Sequence, residues 1–135
     1  MSEQRARKYH QDRVAGALRD EITAMIEGEL SDPRIAFAYV SQVMLNPGGK
    51  SALVYIGVDG GDKEERETLA ALMDARGYIR RELLERTGRR HVPEISFHID
   101  HSDQMKARIE ELVGRTRRRK NAEVAGATIT PMPIK

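Results

Sequence analysis

The chain has 135 residues, about the length of one domain, and it contains no cysteine, so disulfides, thiolate metal ligands and cysteine nucleophiles are excluded. Charged residues make up 33% of the chain, above the roughly 25% of an average soluble domain, yet the net charge is only +2. No apolar run reaches the roughly 20 residues of a bilayer span, and no signal-like segment stands near the N-terminus. These features predict a cytoplasmic protein.

The first predicted element is an amphipathic helix from Arg13 to Leu30, because its apolar residues recur at steps of three and four. Pro33 ends it, since proline disfavours a helical conformation in the residue before it. Residues 1–12 are polar, and we expect them to form a flexible N-terminus.

A hairpin of two strands is predicted next, from about Tyr39 to Leu45 and from Ala52 to Val58. The turn between them is marked by Asn46-Pro47-Gly48-Gly49. The alternation of the first strand changes phase near Ser41–Gln42, which predicts a β-bulge there.

The second half of the chain is predicted to hold two helical segments, a strand and a last helix. Helical spacing runs from about Lys63 and resumes directly after Gly77, and because glycine weakens a helix we expect a kink or break there. A half-buried strand follows from Val92 to Asp100, then a helix from Asp103 to about Arg117. Residues 121–135 are predicted to be a flexible tail.

The element order therefore predicts an α+β domain over residues 13–120, with helices on one face of a small sheet. In detail the order is helix–strand–strand–helix–kink–helix–strand, followed by a C-terminal helix. We find no internal repeat in the sequence.

Three sequence blocks in this order carry a family resemblance. They are Leu30–Ile35, which closes the first helix; Ala75–Arg80, with an Ala-x-Gly step between helical segments; and Val92–Phe97, which leads into the third strand. Together they resemble a type II KH-like domain and, in detail, the ribosome-binding factor A family, over about residues 14–113. The stretch 88–91 and the hairpin tip at 46–51 depart from the usual family pattern.

The resemblance implies a ribosome assembly factor that binds the free small (30S) ribosomal subunit and assists late maturation of its 16S rRNA. It also implies a role in growth in the cold. The partners would be the small subunit and its rRNA, with no membrane and no small-molecule substrate. We expect a monomer that is not an enzyme and needs no cofactor and no metal.

Charge segregation supports RNA as the ligand. Residues 75–91 hold six basic and two acidic side chains, and residues 115–120 hold five basic and none acidic. The guanidinium group of arginine binds phosphate through two parallel hydrogen bonds, so clustered arginines favour a polyanionic ligand. Alternatively, cations near the C-terminus of a helix stabilise it by complementing the helix dipole. The predicted RNA-binding residues are Ala75, Arg76, Gly77, Arg80, Arg81, Arg86, Arg89 and Arg90. Further possible contacts are Arg34, Lys50, Arg115, Arg117, Arg118, Arg119 and Lys120.

Two other basic or flexible features have more than one interpretation. Gly77 either contacts RNA through its bare backbone or serves only as a hinge for packing, and both roles are compatible. The N-terminal residues Arg5, Arg7, Lys8 and Arg13 either extend the basic surface or are plain solvated charges.

Other functional classes fit the sequence less well. His98 and His101 are three positions apart at the end of a strand and lack the ligand spacing of a metal site. The acidic residues near Asp62 lie in a loop and a first helical turn, unlike the carboxylates of a nuclease. The remaining alternatives are a general RNA- or DNA-binding module and a protein-interaction domain that meets an acidic partner.

Overall fold

A computed structural model describes residues 2–115 of the chain. Helix α1 spans Ser2–Ala24 and continues into a π-helical turn, Met25–Glu29. A 3-10 turn at Pro33–Ile35 precedes strand β1, Ala38–Leu45. Strand β2 follows at Ser51–Val58, helix α2 at Asp62–Thr87 and strand β3 at Glu94–Ile99. A third helix, α3, covers residues 103–115 of the described part.

The three strands form one sheet in the order β1-β2-β3. Strands β1 and β2 pair antiparallel, and their register shifts between Val40 and Gln42, so the predicted bulge is confirmed. Strand β3 lies parallel to β2, which requires a crossover connection, and α2 supplies it. Gly48 and Gly49 have φ of +87° and +71° at the hairpin tip, which explains why glycine stands at both positions.

The main core lies between one face of the sheet and helices α1 and α2. The apolar stripe of α1 is buried there, as its spacing predicts. From α2, Leu72, Ile79 and Leu83 have no exposed surface. The sheet contributes Val40, Val54, Ile56, Ile95 and Phe97 to the same core.

Helix α3 packs on the opposite face of the sheet, so the prediction that all helices share one face is wrong. Met105, Ile109 and Val113 are buried there against Tyr39. A Cβ at Gly57 of β2 would lie 2.4 Å from Met105 Cε and 2.9 Å from Ile109 Cδ1. Because this glycine allows the close approach, Gly57 was the signal in the sequence for a second packed face.

Two predicted helix limits also differ from the structure. Helix α1 begins at Ser2 and not at Arg13, and residues 3–10 are all exposed, so no apolar period marks them. That these residues are flexible stays a prediction. Helix α2 runs through Gly77 without interruption, so the predicted break is wrong, whereas the alternative of a kink stays a prediction. Burial of Ile79 and Leu83 on the far side of Gly77 offsets its low helix propensity. The predicted tail, 121–135, lies outside the described residues.

Candidate nucleic-acid interface

The outward side of α2 carries the centre of the predicted site. Met73, Gly77, Arg80 and Arg81 are all exposed, and their spacing of three and four positions places them along one stripe of the helix. We call these four residues the α2 stripe. Neither Arg80 nor Arg81 has an ion pair or hydrogen bond to any residue between 2 and 115. The stripe therefore presents two unengaged guanidinium groups beside a residue without a side chain.

Gly77 is not used for packing inside the domain. A Cβ built at this position would meet no atom within 4 Å, and the backbone there is helical. The hinge interpretation requires either a bend or a close neighbour. The structure shows no neighbour there, so the bare surface at Gly77 faces outward, and a bend of the helix axis at this position stays a prediction.

The remaining residues of the Ala-x-Gly step face the domain itself. Ala75 is half-buried against the main core. Arg76 is half-buried too, and its Nη2 lies 3.6 Å from Oε1 of Glu94 on β3. Of Ala75, Arg76 and Gly77, only Gly77 has no contact with another part of the domain beyond its own helix.

The three sequence blocks of the resemblance meet around the middle of α2. Ala71, Asp74 and Ala75 border a small cleft of about 370 Å³ whose other wall comes from the segment Leu30–Ile35. The third block, Val92–Phe97, reaches the same region through the ion pair of its Glu94 with Arg76. Segments far apart in sequence are thus assembled into one surface by the fold.

Arg34 is engaged in that surface and is not a free cation. Its guanidinium bonds to both carboxylate oxygens of Asp32, with Nη2 at 2.6 Å from Oδ2, and lies 3.1 Å from Asp74 Oδ2. The hydrogen bonds from Arg34 hold the pKa of the Asp32 carboxyl below its ordinary range. The Arg34 carbonyl accepts a hydrogen bond from the buried Thr68 hydroxyl, so the residue joins the 3-10 turn to α2.

Arg86 is also committed to the fold. Its guanidinium contacts Glu29, Glu82 at 3.0 Å and Glu21 at 3.3 Å, and so ties α2 to α1 and to the π-helical turn. These carboxylates raise the pKa of Arg86, while the hydrogen bond from Arg86 lowers the pKa of Glu29. With three carboxylates around it, Arg86 adds no net positive charge to the surface of α2.

Arg89 and Arg90 follow α2 in the loop that leads to β3, and both are exposed without an ion pair within residues 2–115. The Lys50 carbonyl accepts a hydrogen bond from Glu94 N at 2.9 Å, which holds the hairpin tip beside the start of β3. Lys50 and Arg89 consequently line one cleft. The sequence did not predict that these two cations would lie together.

The second basic block is only partly described. Arg115 pairs with Glu111 one turn earlier on α3, an exposed contact. Arg117, Arg118, Arg119 and Lys120 lie outside the described residues, so their RNA contact stays a prediction.

The histidines have local partners in the structure. His101 Nε2 lies 2.9 Å from Glu65 Oε2, and His98 Nε2 lies 3.0 Å from the Ser96 hydroxyl. Over residues 2–115, no three His, Asp or Glu side chains gather in a way that would hold a metal ion. The helices within this range include none long and apolar enough to span a bilayer.

Comparison with known proteins gives a consistent result. The family model described as ribosome-binding factor A matches residues 10–113. A ribosome-binding factor A from Koribacter versatilis is 46% identical over 120 residues, which cover 89% of this chain and 98% of that protein. One from Thermomicrobium roseum is 34% identical over 123 residues, covering 91% and 95%.

Solved structures agree with the sequence matches. The crystal structure of ribosome-binding factor A from Thermus thermophilus aligns with a TM-score of 0.52 at 26% identity, and covers 68% of this chain and 92% of that one. A homology model of the Thermus protein, fitted into a cryo-EM map of its 30S complex, aligns with a TM-score of 0.54 at 24% identity, covering 64% and 90%. The predicted α+β, KH-like fold is confirmed.

Proposed function

Because this chain belongs to the ribosome-binding factor A family, we propose that it binds the free small ribosomal subunit and assists late maturation of the 16S rRNA. The names of its curated relatives support ribosome binding, and the 30S complex of the Thermus protein supports the small subunit as the partner. The role is one of binding, not catalysis. It would be exercised in the cytoplasm by a monomer without a cofactor.

The α2 stripe is the observation that carries the proposed RNA contact. A phosphate chain needs cations that are not already neutralised, and Arg80 and Arg81 meet that condition where Arg34 and Arg86 do not. Next to them Gly77 leaves the helix backbone bare, so a sugar–phosphate chain can approach closely. Arg89 and Arg90 continue the unengaged positive charge beyond the end of α2.

The proposed mechanism is preferential binding to one arrangement of the rRNA. A ligand shifts an equilibrium only through a difference in its affinity for the two states. Helix α2 holds the guanidinium groups of the adjacent residues Arg80 and Arg81 in a fixed arrangement, so it binds best where two phosphates match that arrangement. RNA that has folded differently would lose those contacts, so the correctly arranged particle is stabilised.

Co-sedimentation with ribosomal particles tests this proposal. The purified protein should travel with free small subunits and not with complete ribosomes. The double variant Arg80→Glu/Arg81→Glu should bind at least about ten-fold more weakly, because two phosphate contacts become repulsive. A matched control is Lys63→Glu/Arg66→Glu, which makes the same charge change at exposed positions of the first turns of α2. That control should bind within two-fold of the wild type.

Three outcomes would contradict the proposal. If the wild-type protein does not bind small subunits at low ionic strength, the proposed function is wrong. If it binds complete ribosomes and unrelated structured RNA equally well, it is a general RNA-binding module. If both double variants bind as the wild type does, the function stands and the α2 stripe is not its contact surface.

A further inference from the structure

A second positively charged surface lies between α1, the hairpin tip and the loop that follows α2. The side chains of Arg7 and Lys8 enter it from the N-terminal turns of α1, and Lys50 enters it from the hairpin tip. Arg89 and His91 contribute from the loop before β3. The resulting cleft has a volume of about 1100 Å³. We call it the α1–hairpin cleft.

The lining of this cleft is strongly segregated by charge. Four cationic side chains and two histidines line it, whereas no aspartate or glutamate does. The chain as a whole has nearly equal numbers of basic and acidic residues, 23 and 21. A lining that has four cations and no carboxylate therefore differs from the composition of the chain. None of the four cations has an ion pair within residues 2–115. The cleft therefore has an unneutralised positive charge, which complements a polyanion.

The shape of the cleft is suited to an extended polymeric ligand. Its lining includes the buried residues Val14, Val92 and Pro93, which form an apolar base held in place by the core. At the hairpin tip Gly48 and Gly49 have only open space where a Cβ would stand. Their backbone is thus accessible to a ligand that lies along the cleft. The cleft is also larger than the roughly 300–1,000 Å³ of small-molecule sites.

We propose that the α1–hairpin cleft binds a single-stranded segment of RNA through its phosphodiester chain. The inference rests on the proposed function, and it adds a second RNA contact to the α2 stripe. Arg89, which follows the end of α2 in the chain, is one of the residues that line the cleft. No Phe, Tyr or Trp lines the cleft, so we expect the contacts to be made mainly to phosphates and binding to depend little on sequence.

The chemistry of the lining favours RNA over an acidic protein. The centres of protein interfaces are enriched in tyrosine, tryptophan and phenylalanine, which anchor the partner in pockets, as well as in arginine. The α1–hairpin cleft has no tyrosine, tryptophan or phenylalanine, and half of its cations are lysines, which protein interfaces tend to lack. Charge without aromatic anchors is the pattern expected of a surface that follows a phosphate backbone.

The position of the charges on α1 supplies a matched pair of variants. Arg7 and Lys8 line the cleft together with Gln4, Gln11 and Val14, at the spacing of one helix face. Arg5 and Arg13 are exposed on the same helix but do not line the cleft. The variants Arg7→Ala/Lys8→Ala and Arg5→Ala/Arg13→Ala therefore remove the same charge from the two sides of one helix.

The test uses a fluorescent 12-nucleotide oligouridylate and measures its affinity by anisotropy over a range of salt concentrations. Single-stranded RNA releases about 0.7 counterion per phosphate contact, so losing two contacts should reduce the slope of log K against log salt by about 1.4. We expect this reduction, with about ten-fold weaker binding at 50 mM salt, for Arg7→Ala/Lys8→Ala. The control Arg5→Ala/Arg13→Ala should keep the wild-type slope. Circular dichroism should show equal helix content in both variants.

The possible results separate the cleft from the proposed function. If the two variants lose affinity equally, the effect is one of net charge and the cleft proposal is wrong. It is also wrong if an oligoglutamate of equal charge binds the wild type as tightly as the RNA does, because an acidic protein is then the partner. Small-subunit co-sedimentation of the wild type, measured in parallel, reports on the proposed function alone.

Discussion

On one side of α2 the Arg86 guanidinium contacts three carboxylates, whereas Arg80 and Arg81 on its outer side have no ion partner among residues 2–115. The same residue type thus serves two purposes within seven positions of one helix. Arg86 joins α1 to α2, and its charge is neutralised inside the domain. The outer pair adds nothing visible to the fold and keeps its charge available. Stability and binding should therefore be separable on this helix by substitution.

The largest effect is expected on the inner side of α2. Leu83 has no exposed surface and packs in the main core, so Leu83→Ala should lower the free energy of unfolding by about 3 kcal/mol. Urea denaturation measures this change. Binding to small subunits by the folded fraction should not change, because the outer side is untouched. A loss below about 1 kcal/mol would show that this side is not tightly packed.

A smaller effect is expected at the carboxylate cluster. The variant Arg86→Met keeps much of the side-chain volume but leaves Glu21, Glu29 and Glu82 without their cation. We expect the melting temperature at pH 7 to fall by a few degrees, with small-subunit binding unchanged at low temperature. Arg115→Met is the control, because its pair with Glu111 is exposed on α3 and should affect stability little.

The pH dependence of the Arg86→Met effect has a definite sign. Arg86 holds the pKa of Glu29 below its ordinary value of 4.5, so this pair stabilises the folded state above that pH. The stabilisation is lost as the pH falls through the lowered pKa of the folded state. The difference in melting temperature between wild type and variant should therefore shrink when the pH is lowered from 7 to about 3. A difference that stays constant would show that the contribution of Arg86 is packing and not charge.

The contrast between the two sides of α2 was only half predictable from the sequence. Helical spacing predicts that Arg80 and Arg81 point away from Ile79 and Leu83, and the structure agrees. The engagement of Arg86 was not predictable, because two of its partners come from residues more than fifty positions away. Local periodicity fixes which way a side chain points, whereas the partner it meets depends on how the elements pack.

The same limit explains the errors in the fold. The hairpin turn and the bulge were predictable, since glycine pairs and a change of phase act locally. The continuity of α2 was not, because burial on both sides of Gly77 outweighs the local preference of glycine. The position of α3 was not predictable either, because it depends on distant contacts, those of Met105 and Ile109 with Gly57 and of the buried α3 cluster with Tyr39.

Gly77 gives the smallest and most discriminating prediction, because its two effects should have opposite signs. In Gly77→Ala the new methyl group meets no atom within 4 Å, so the free energy of unfolding should rise by about 0.5–1 kcal/mol. Small-subunit binding should fall several-fold, since the methyl group stands where an RNA backbone would lie. Gly16→Ala on α1 is the matched control, for it also lies in a helix with nothing within 4 Å.

The control should gain the same stability and lose no affinity. If Gly77→Ala binds as tightly as Gly16→Ala does, no partner comes close to this part of α2, and the bare backbone there has no role in binding. If instead Gly77→Ala is less stable than the wild type, the helix bends at this position and the methyl group obstructs the bend. Only a more stable protein that binds less well fits a glycine kept for close contact with RNA.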